Sequence, residues 1–372
     1  MQSEAAALLD VGPNELRAFE EIDPFNGVLV KGYISLRRDQ RMGALVIWYA
    51  DGPTDPQVVW ATPKFAYPFE RDGVFHFPPT ERVEVYEKLD GTNVLGFRYF
   101  ARGRIFVSYK TRMMPFVSGS FIPMWRLMLE RYPAIPALVL AGNRNPSFEM
   151  FGSLNRHLMA YDVPLDIRHI FSVDGVGVYP PPDVGAIPPV SHVATLTQPR
   201  ALLGFYRAHQ AELGAALVET EDGYEGSEGY MWYVLGVGGL WHPFKCKPEV
   251  IEAIHFASGG ITNNVITHAC YRVLEDGQEL TLGTISEQLS QDWPTEAVTI
   301  AEERIKQVIG TVTEREGFRR RVVEEYERLR ANGLSLLADR GATMRAMSLL
   351  FPRSQMQQVY TLIAAVEAAS GE

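Results

Sequence analysis

The sequence predicts an α+β fold, a strand-rich body followed by an all-helical C-terminal region. Three observations carry this. Residues 27–256 read as short β-forming runs cut by Gly, Asp and Pro turns. The composition changes after about residue 260. From Thr295 to Ala369 apolar residues recur at helical spacing. At 372 residues the chain is long enough for two domains and a large core. The expected division is 1–260 and 261–372, with the boundary inside 250–275.

In chain order, Val28 to Ile34, Ala44 to Tyr49 and Gln57 to Trp60 are predicted strands, punctuated by Gly43 and Asp51-Gly52-Pro53. Phe97 to Tyr99 and Ile105 to Tyr109 flank Arg102-Gly103, which predicts a hairpin. Trp125 to Tyr132 is a short helix that Pro133 and Pro136 end. Gln198 to Leu217 is a longer helix with Leu202, Leu203, Tyr206, Leu213 and Leu217 roughly on one face. Gly229 to Val237 and Gly239 to Lys245 make a second hairpin. In the C-terminal region Ile305, Val308, Ile309 and Val312 form one apolar stripe, and Phe318, Val322, Tyr326 and Leu329 another. Gly310, Asn332-Gly333, Gly341 and Pro352 are expected breaks.

Bulk properties narrow the function. Composition is that of a soluble globular protein, 46% hydrophobic and 22% charged. No apolar run approaches the length of a membrane span, so no membrane partner is expected. Met1 to Asp10 is short and acidic, unlike a signal peptide. Cys246 and Cys270 are too few for a disulfide framework and lie in no zinc pattern, so a reducing cytoplasm is the expected location. The net charge of −10 argues against a general nucleic-acid coat protein. It leaves room for an enzyme with a local basic cleft. Arg98, Arg102, Arg104, Lys110 and Arg112 offer one, with no acid among them; a solvated hairpin is the equal alternative. The sequence sets no oligomeric state.

The chemistry concentrates in Glu87-Lys88-Leu89-Asp90-Gly91-Thr92-Asn93, set between β-forming residues on both sides. Lys88 and Asp90 are i and i+2, so on a strand they face one side. Gly91 permits the tight or positive-φ backbone that lets a phosphate approach. Lys245 and Lys247 form a second i, i+2 pair on a predicted strand. Either motif alone is weak: the first arises by chance, and the second usually marks a solvated face.

The first motif resembles the nucleophile motif Lys-x-Asp-Gly-x-Asn/Arg of the covalent nucleotidyltransferases, the superfamily of ATP-dependent ligases and mRNA capping enzymes. Further motifs fall in that superfamily's order. Thr111-Arg112 sits where the family places an arginine. Ser147-Phe148-Glu149-Met150-Phe151-Gly152 resembles the segment whose acid grips the ribose hydroxyl. Arg168-His169-Ile170-Phe171 looks like the segment whose aromatic, here Phe171, stacks on adenine. Glu228-Gly229-Tyr230-Met231-Trp232 is similar to the segment whose glutamate helps hold a metal at the phosphates. Lys245 and Lys247 look like the phosphate-binding lysine pair.

Within the superfamily the chain resembles the phage RNA ligase 1 branch. Asn155-Arg156, Leu158, Met159 and Tyr161 continue the Glu149 segment as that branch does. Arg41-Met42-Gly43 and Thr62-Pro63-Lys64-Phe65 are similar to its Arg-Gly and Lys-Phe-Phe-Asn segments, though Met42 intrudes and Ala66-Tyr67 departs. The resemblance covers about residues 35–250. It implies a nucleotidyltransferase domain of ATP-grasp-like antiparallel sheets with flanking helices. It also implies an ATP site of Arg41, Lys64, Glu87, Lys88, Asn93, Arg112, Glu149, Phe171, Glu228, Lys245 and Lys247. Lys88, Asp90, Glu228, Lys245 and Lys247 would be catalytic, and Glu228 would anchor Mg²⁺ or Mn²⁺. Lys88 would form lysyl-AMP, its pKa lowered by Lys245 and Lys247. The AMP would pass to an RNA 5′-phosphate, and a 3′-OH would then join the strands, as in RNA repair. The helical region would select the RNA.

DNA ligases and capping enzymes carry a five-stranded OB domain after the lysine pair, whereas residues 260–372 read as helical. The alternatives are a DNA ligase or GTP-using capping-type enzyme, and a non-catalytic nucleic-acid-binding protein. No role is assigned to His157, His169 or His242. Arg315, Arg319, Arg320 and Arg321 alternate with glutamates and are read as a salt-bridged helix face.

Overall fold

The structure is a computed structural model. It describes residues 1–69, 74–155, 159–182, 187–197, 201–220, 223–248, 261–291, 293, 298–299 and 301–371. Arg156, His157 and Leu158 of the Glu149 segment lie outside the described residues, as do Gln198 and Thr295, the expected starts of two helices.

After α1 (Gln2–Leu9), strands β1 (Leu16–Ile22), β2 (Leu29–Ser35), β3 (Leu45–Ala50) and β4 (Pro53–Val59) form an antiparallel sheet in chain order. The chain continues through β5 (Thr80–Lys88), β6 (Thr92–Ala101), β7 (Arg104–Lys110), α2 (Phe121–Arg131) and α3 (Ile135–Ala141). Next come β8 (Asn145–Phe151), β9 (Asp166–Val173), β10 (Val178–Tyr179), β11 (His192–Thr197) and α4 (Leu202–Ala216). A small ribbon of β12 (Val218–Thr220) and β13 (Gly223–Glu225) precedes β14 (Gly229–Gly236) and β15 (Trp241–Cys246). These strands build two further antiparallel sheets, ordered β10-β9-β8-β6-β7 and β11-β5-β14-β15.

The predicted hairpins form. Arg102 (φ 50°) and Gly103 (φ 75°) turn β6 into β7, the left-handed pair that a tight hairpin needs. β6 is an interior strand of its sheet, between β8 and β7. Val94, Leu95, Phe97 and Tyr99 are all buried, so it reads as a continuous apolar run rather than an alternation. Val83 and Val85 of β5 pack with Trp232, Val234 and Tyr206, which seats α4 on the β5–β14 sheet.

The C-terminal region is helical as expected, with α5 (Asn263–Glu275), α6 (Leu282–Leu289), α7 (Glu302–Ala331), α8 (Arg340–Ser348) and α9 (Met356–Gly371). Gly310 does not break it: α7 runs unbroken through that position. The buried stripe of Ile305, Val308, Val312, Val322 and Tyr326 outweighs the roughly 1 kcal/mol that an interior glycine costs. The arginine-rich part of α7 is salt-bridged in part, with Arg319 on Glu316 at 3.5 Å.

Candidate active site

The Lys88 motif is the joint between two sheets. β5 ends at Lys88, and β6 begins at Thr92 in the other sheet, so Leu89, Asp90 and Gly91 carry the chain across. The crossing opens a cavity of about 370 Å³ with Lys88 in its wall. β14 lies against β5 with Gly229 opposite Lys88, which brings Glu228 to the nucleophile's end of the sheet. β8 lies against β6 with Glu149 opposite Asn93.

Gly91 serves the first of its two expected roles, a tight backbone approach, and not positive φ. A Cβ there would overlap the Met150 carbonyl oxygen. The crossing is held by hydrogen bonds. The Gly91 N–H donates to Glu149 Oε1 at 3.1 Å, and the Asp90 N–H donates to the Tyr161 hydroxyl at 2.8 Å. Asp90 Oδ2 accepts from the Met159 N–H at 2.9 Å. The buried Asn93 donates to Ser147 Oγ and accepts from Thr62 Oγ1, tying β6 to its neighbours.

Glu228 lies between two lysines. Its Oε1 accepts from Lys247 Nζ at 2.7 Å, and its Oε2 contacts Lys88 Nζ. Burial alone would raise this carboxyl, but Lys247, Lys88 and His268 outweigh it and hold the group well below the usual carboxylate range. Lys88 therefore faces a carboxylate as well as cations. Lys245 stands in the cavity wall, and burial together with Arg272, Lys247, Lys88 and Arg112 pushes its ammonium down. Burial pushes Glu149 up to about 8 against the pull of Lys88, with Glu275, Glu228 and Asp90 adding to the rise. Glu275 is likewise raised by burial, to about 7.

Of the sequence-predicted residues, Lys64, Glu87, Lys88, Asn93, Arg112, Glu149, Phe171, Glu228 and Lys245 line this one cavity, with Asp90. Phe171 meets Phe65 edge-on, ring centroids 5.2 Å apart, at an apolar stretch that includes Ile170 and Val190. Lys247 reaches the site through Glu228. Arg41 is not among the lining residues: its Nε donates to the Leu9 carbonyl at 2.9 Å, and its guanidinium pairs with Asp39 and Asp10. Arg38 and Arg17 line the cavity instead. The basic run after Lys88 does not make one surface. Lys110 is fully buried on the Thr111 and Arg112 carbonyls, Arg102 pairs with Asp51, and only Arg112 lines the cavity.

Sequence reasoning missed His268, Arg272 and Glu275, which α5 brings to the cavity. Their i, i+4, i+7 spacing was the available signal. The described residues contain no group of three or more His, Cys, Asp or Glu side chains arranged to hold a metal. With both Glu228 oxygens on ammonium groups, a direct bond from Glu228 to a metal does not fit this arrangement.

No family model matches the chain, and no curated protein matches it. Solved structures similar to it include an archaeal ATP-dependent RNA ligase, form 2 (16% identity, 74% of this chain and 73% of that chain, TM-score 0.44). Another is a putative ATP-dependent DNA ligase from Aquifex aeolicus (13% identity, 79% and 78%, TM-score 0.41). A third is a Naegleria gruberi RNA ligase variant with ATP and Mn (16% identity, 47% and 51%, TM-score 0.33). With TM-scores below 0.5 these likenesses are loose, and none bears on which atoms of this chain react.

Proposed function

We propose that this chain is an ATP-dependent RNA ligase of the covalent nucleotidyltransferase superfamily. Residues 1–260 would be its nucleotidyltransferase domain and 261–372 a helical domain that selects RNA. The observation that carries the reading is the convergence of Lys88, Glu149, Glu228 and Lys245, from separate strands and loops, on one cavity at the Lys-x-Asp-Gly crossing.

Three steps follow. Lys88 Nζ attacks the α-phosphorus of ATP. The N–P bond forms, the α–β phosphoanhydride bond breaks, and its electron pair leaves on pyrophosphate. The amine must shed its proton to solvent and leave its contact with Glu228, whose carboxyl, held well below the usual carboxylate range, is too weak a base to keep it. Lys245 and Lys247 offset charge that develops on the phosphates. Next, an oxygen of an RNA 5′-phosphate displaces Lys88 from the AMP phosphorus. Finally an RNA 3′-OH attacks the activated 5′-phosphorus, AMP leaves, and the strands are joined. Glu149 would accept from a ribose hydroxyl, and the adenine would lie by Phe171. Mg²⁺ or Mn²⁺ belongs to the proposal as the companion of ATP, held by phosphate oxygens and water; no step is assigned to it.

The helical character of the described residues of 261–371 favours this reading over a DNA ligase or capping-type enzyme with a five-stranded module there. The alternatives are separable by comparing ATP with GTP and RNA with DNA ends. The direct test mixes the protein with α-labelled ATP and Mg²⁺, without RNA. A covalent adduct stable in SDS and lost in acid is expected, and it should vanish in Lys88→Ala. Label that persists in the variant would sink the mechanism.

A further inference from the structure

Helix α5 has two unlike faces. Ile266, Ala269, Cys270 and Val273 are buried in a core shared with α6 and the start of α7. His268, Arg272 and Glu275 lie on the other face and line the cavity that holds Lys88. Both ends of this polar stripe are engaged. His268 Nδ1 lies 3.8 Å from Asp90 Oδ1. Glu275 accepts from the Asn93 N–H at 3.2 Å, and Thr111 Oγ1 donates to the Glu275 carbonyl at 3.1 Å. These bonds fasten the end of α5 to the start of β6 and the residues after β7.

Arg272 stands between them. It is half-buried, and its guanidinium enters no ion pair among the described residues. An arginine fork carries five donors and suits phosphate oxygens. The charges of Arg272, Lys247, Lys88 and Arg112 all bear on Lys245. Lys88, Arg112, Lys245 and Arg272 line one cavity. Glu228 already pairs with Lys88, and Glu275 and Asp276 lie near Arg272. An anion of several charges would take up the donors that these carboxylates leave over. The apolar stretch of Phe65, Ile170, Phe171 and Val190 offers no such donors and suits a base instead.

We propose that Arg272 binds the β- and γ-phosphates of ATP, so that the first helix of the C-terminal region completes the nucleotide site. This deepens the ATP reading above and rests on it. It also gives that region a part in the first chemical step, before any RNA is present.

The test measures equilibrium binding of ATP and of AMP to the full chain, without divalent cation so that no adduct forms, for wild type, Arg272→Ala and Arg272→Lys. Arg272→Ala should weaken ATP by about 10-fold and AMP by less than about 2-fold, because only ATP carries the tail. Arg272→Lys should recover part of the ATP loss, since the charge stays while the fork goes. Equal losses for the two nucleotides, or none, overturn the proposal. The readout needs no chemistry. If wild type binds ATP but forms no Lys88 adduct, the ligase reading fails while the ATP-to-AMP ratio still decides Arg272. If wild type binds neither nucleotide, both fall.

Discussion

Glu228 Oε1 lies 2.7 Å from Lys247 Nζ, and both side chains are almost closed to solvent. A buried pair is costly to break, because one uncompensated charge stays in a poor solvent. Lys247→Met should therefore destabilise the protein, by less than the roughly 3–5 kcal/mol of a carboxylate left wholly unpaired, because Lys88 still contacts Glu228 Oε2. Adding Glu228→Gln should restore part of that loss, since no under-compensated buried carboxylate then remains, while Lys88 loses its partner. Urea unfolding of the two single variants and the double variant measures the coupling. Simple additivity would mean that the two groups do not depend on each other.

Glu149 gives a pH signature. Its folded carboxyl titrates at about 8 through burial, against 4.5 as the ordinary value. The folded state thus holds a proton that the unfolded chain has lost between those two values. Stability from this group is full below about pH 4.5 and is lost as pH rises through about 8. Glu275, raised to about 7, has the same sign, while the depressed Lys110 and Lys245 have the opposite sign. Wild type alone would blend these effects. The difference between wild type and Glu149→Gln isolates one group. That variant should gain on wild type from pH 5 to 8, by at most about 1.4 kcal/mol per pH unit. Thermal melts across that range are the measurement, and a flat difference would contradict the burial argument.

What the sequence revealed and what it hid have physical causes. Lys88, Asp90 and Gly91 were legible because a strand end, a turn and a nucleophile are neighbours in the chain. Glu149, Glu228 and Lys245 were legible only as members of an ordered set, since each alone reads as a solvated acid or base. Arg41 lies off the cavity wall because its partners, the Leu9 carbonyl and Asp10, come from the end of α1 and the residue after it, which no local pattern connects to it. The α5 stripe was visible as a spacing but not as part of a site, for a related reason. A polar helix face looks the same whether it meets water or the wall of a cavity. Only packing of the opposite face on α6 and α7 decides which one it meets.

The Gly310 misreading yields its own test. In α7 the added Cβ would meet nothing within 4 Å. Gly310→Ala should therefore stabilise the protein by roughly 0.5–1 kcal/mol, by removing backbone freedom from the unfolded chain. Denaturant midpoints measure this. A loss of stability would mean that the glycine serves a contact that the helix geometry does not contain.

Gly91→Ala should act in the opposite direction, and for a local reason. The new methyl group would overlap the Met150 carbonyl oxygen, which belongs to the β8 backbone and is fixed by pairing with β6. Neither strand can yield without breaking ladder hydrogen bonds, so the crossing between the sheets must move. That move disturbs the bond from the Gly91 N–H to Glu149 and the bond from the Asp90 N–H to Tyr161. The expected cost is about 1–3 kcal/mol, the usual penalty for overpacking. Activity should fall further than stability, because Lys88 is three residues away on the same crossing and the reacting atoms must meet within a few tenths of an ångström. Adduct formation from labelled ATP, measured well below the melting temperature of the variant, separates the two effects. Full adduct yield in a folded Gly91→Ala protein would show that the crossing tolerates displacement, and that its geometry does not set the reach of Lys88.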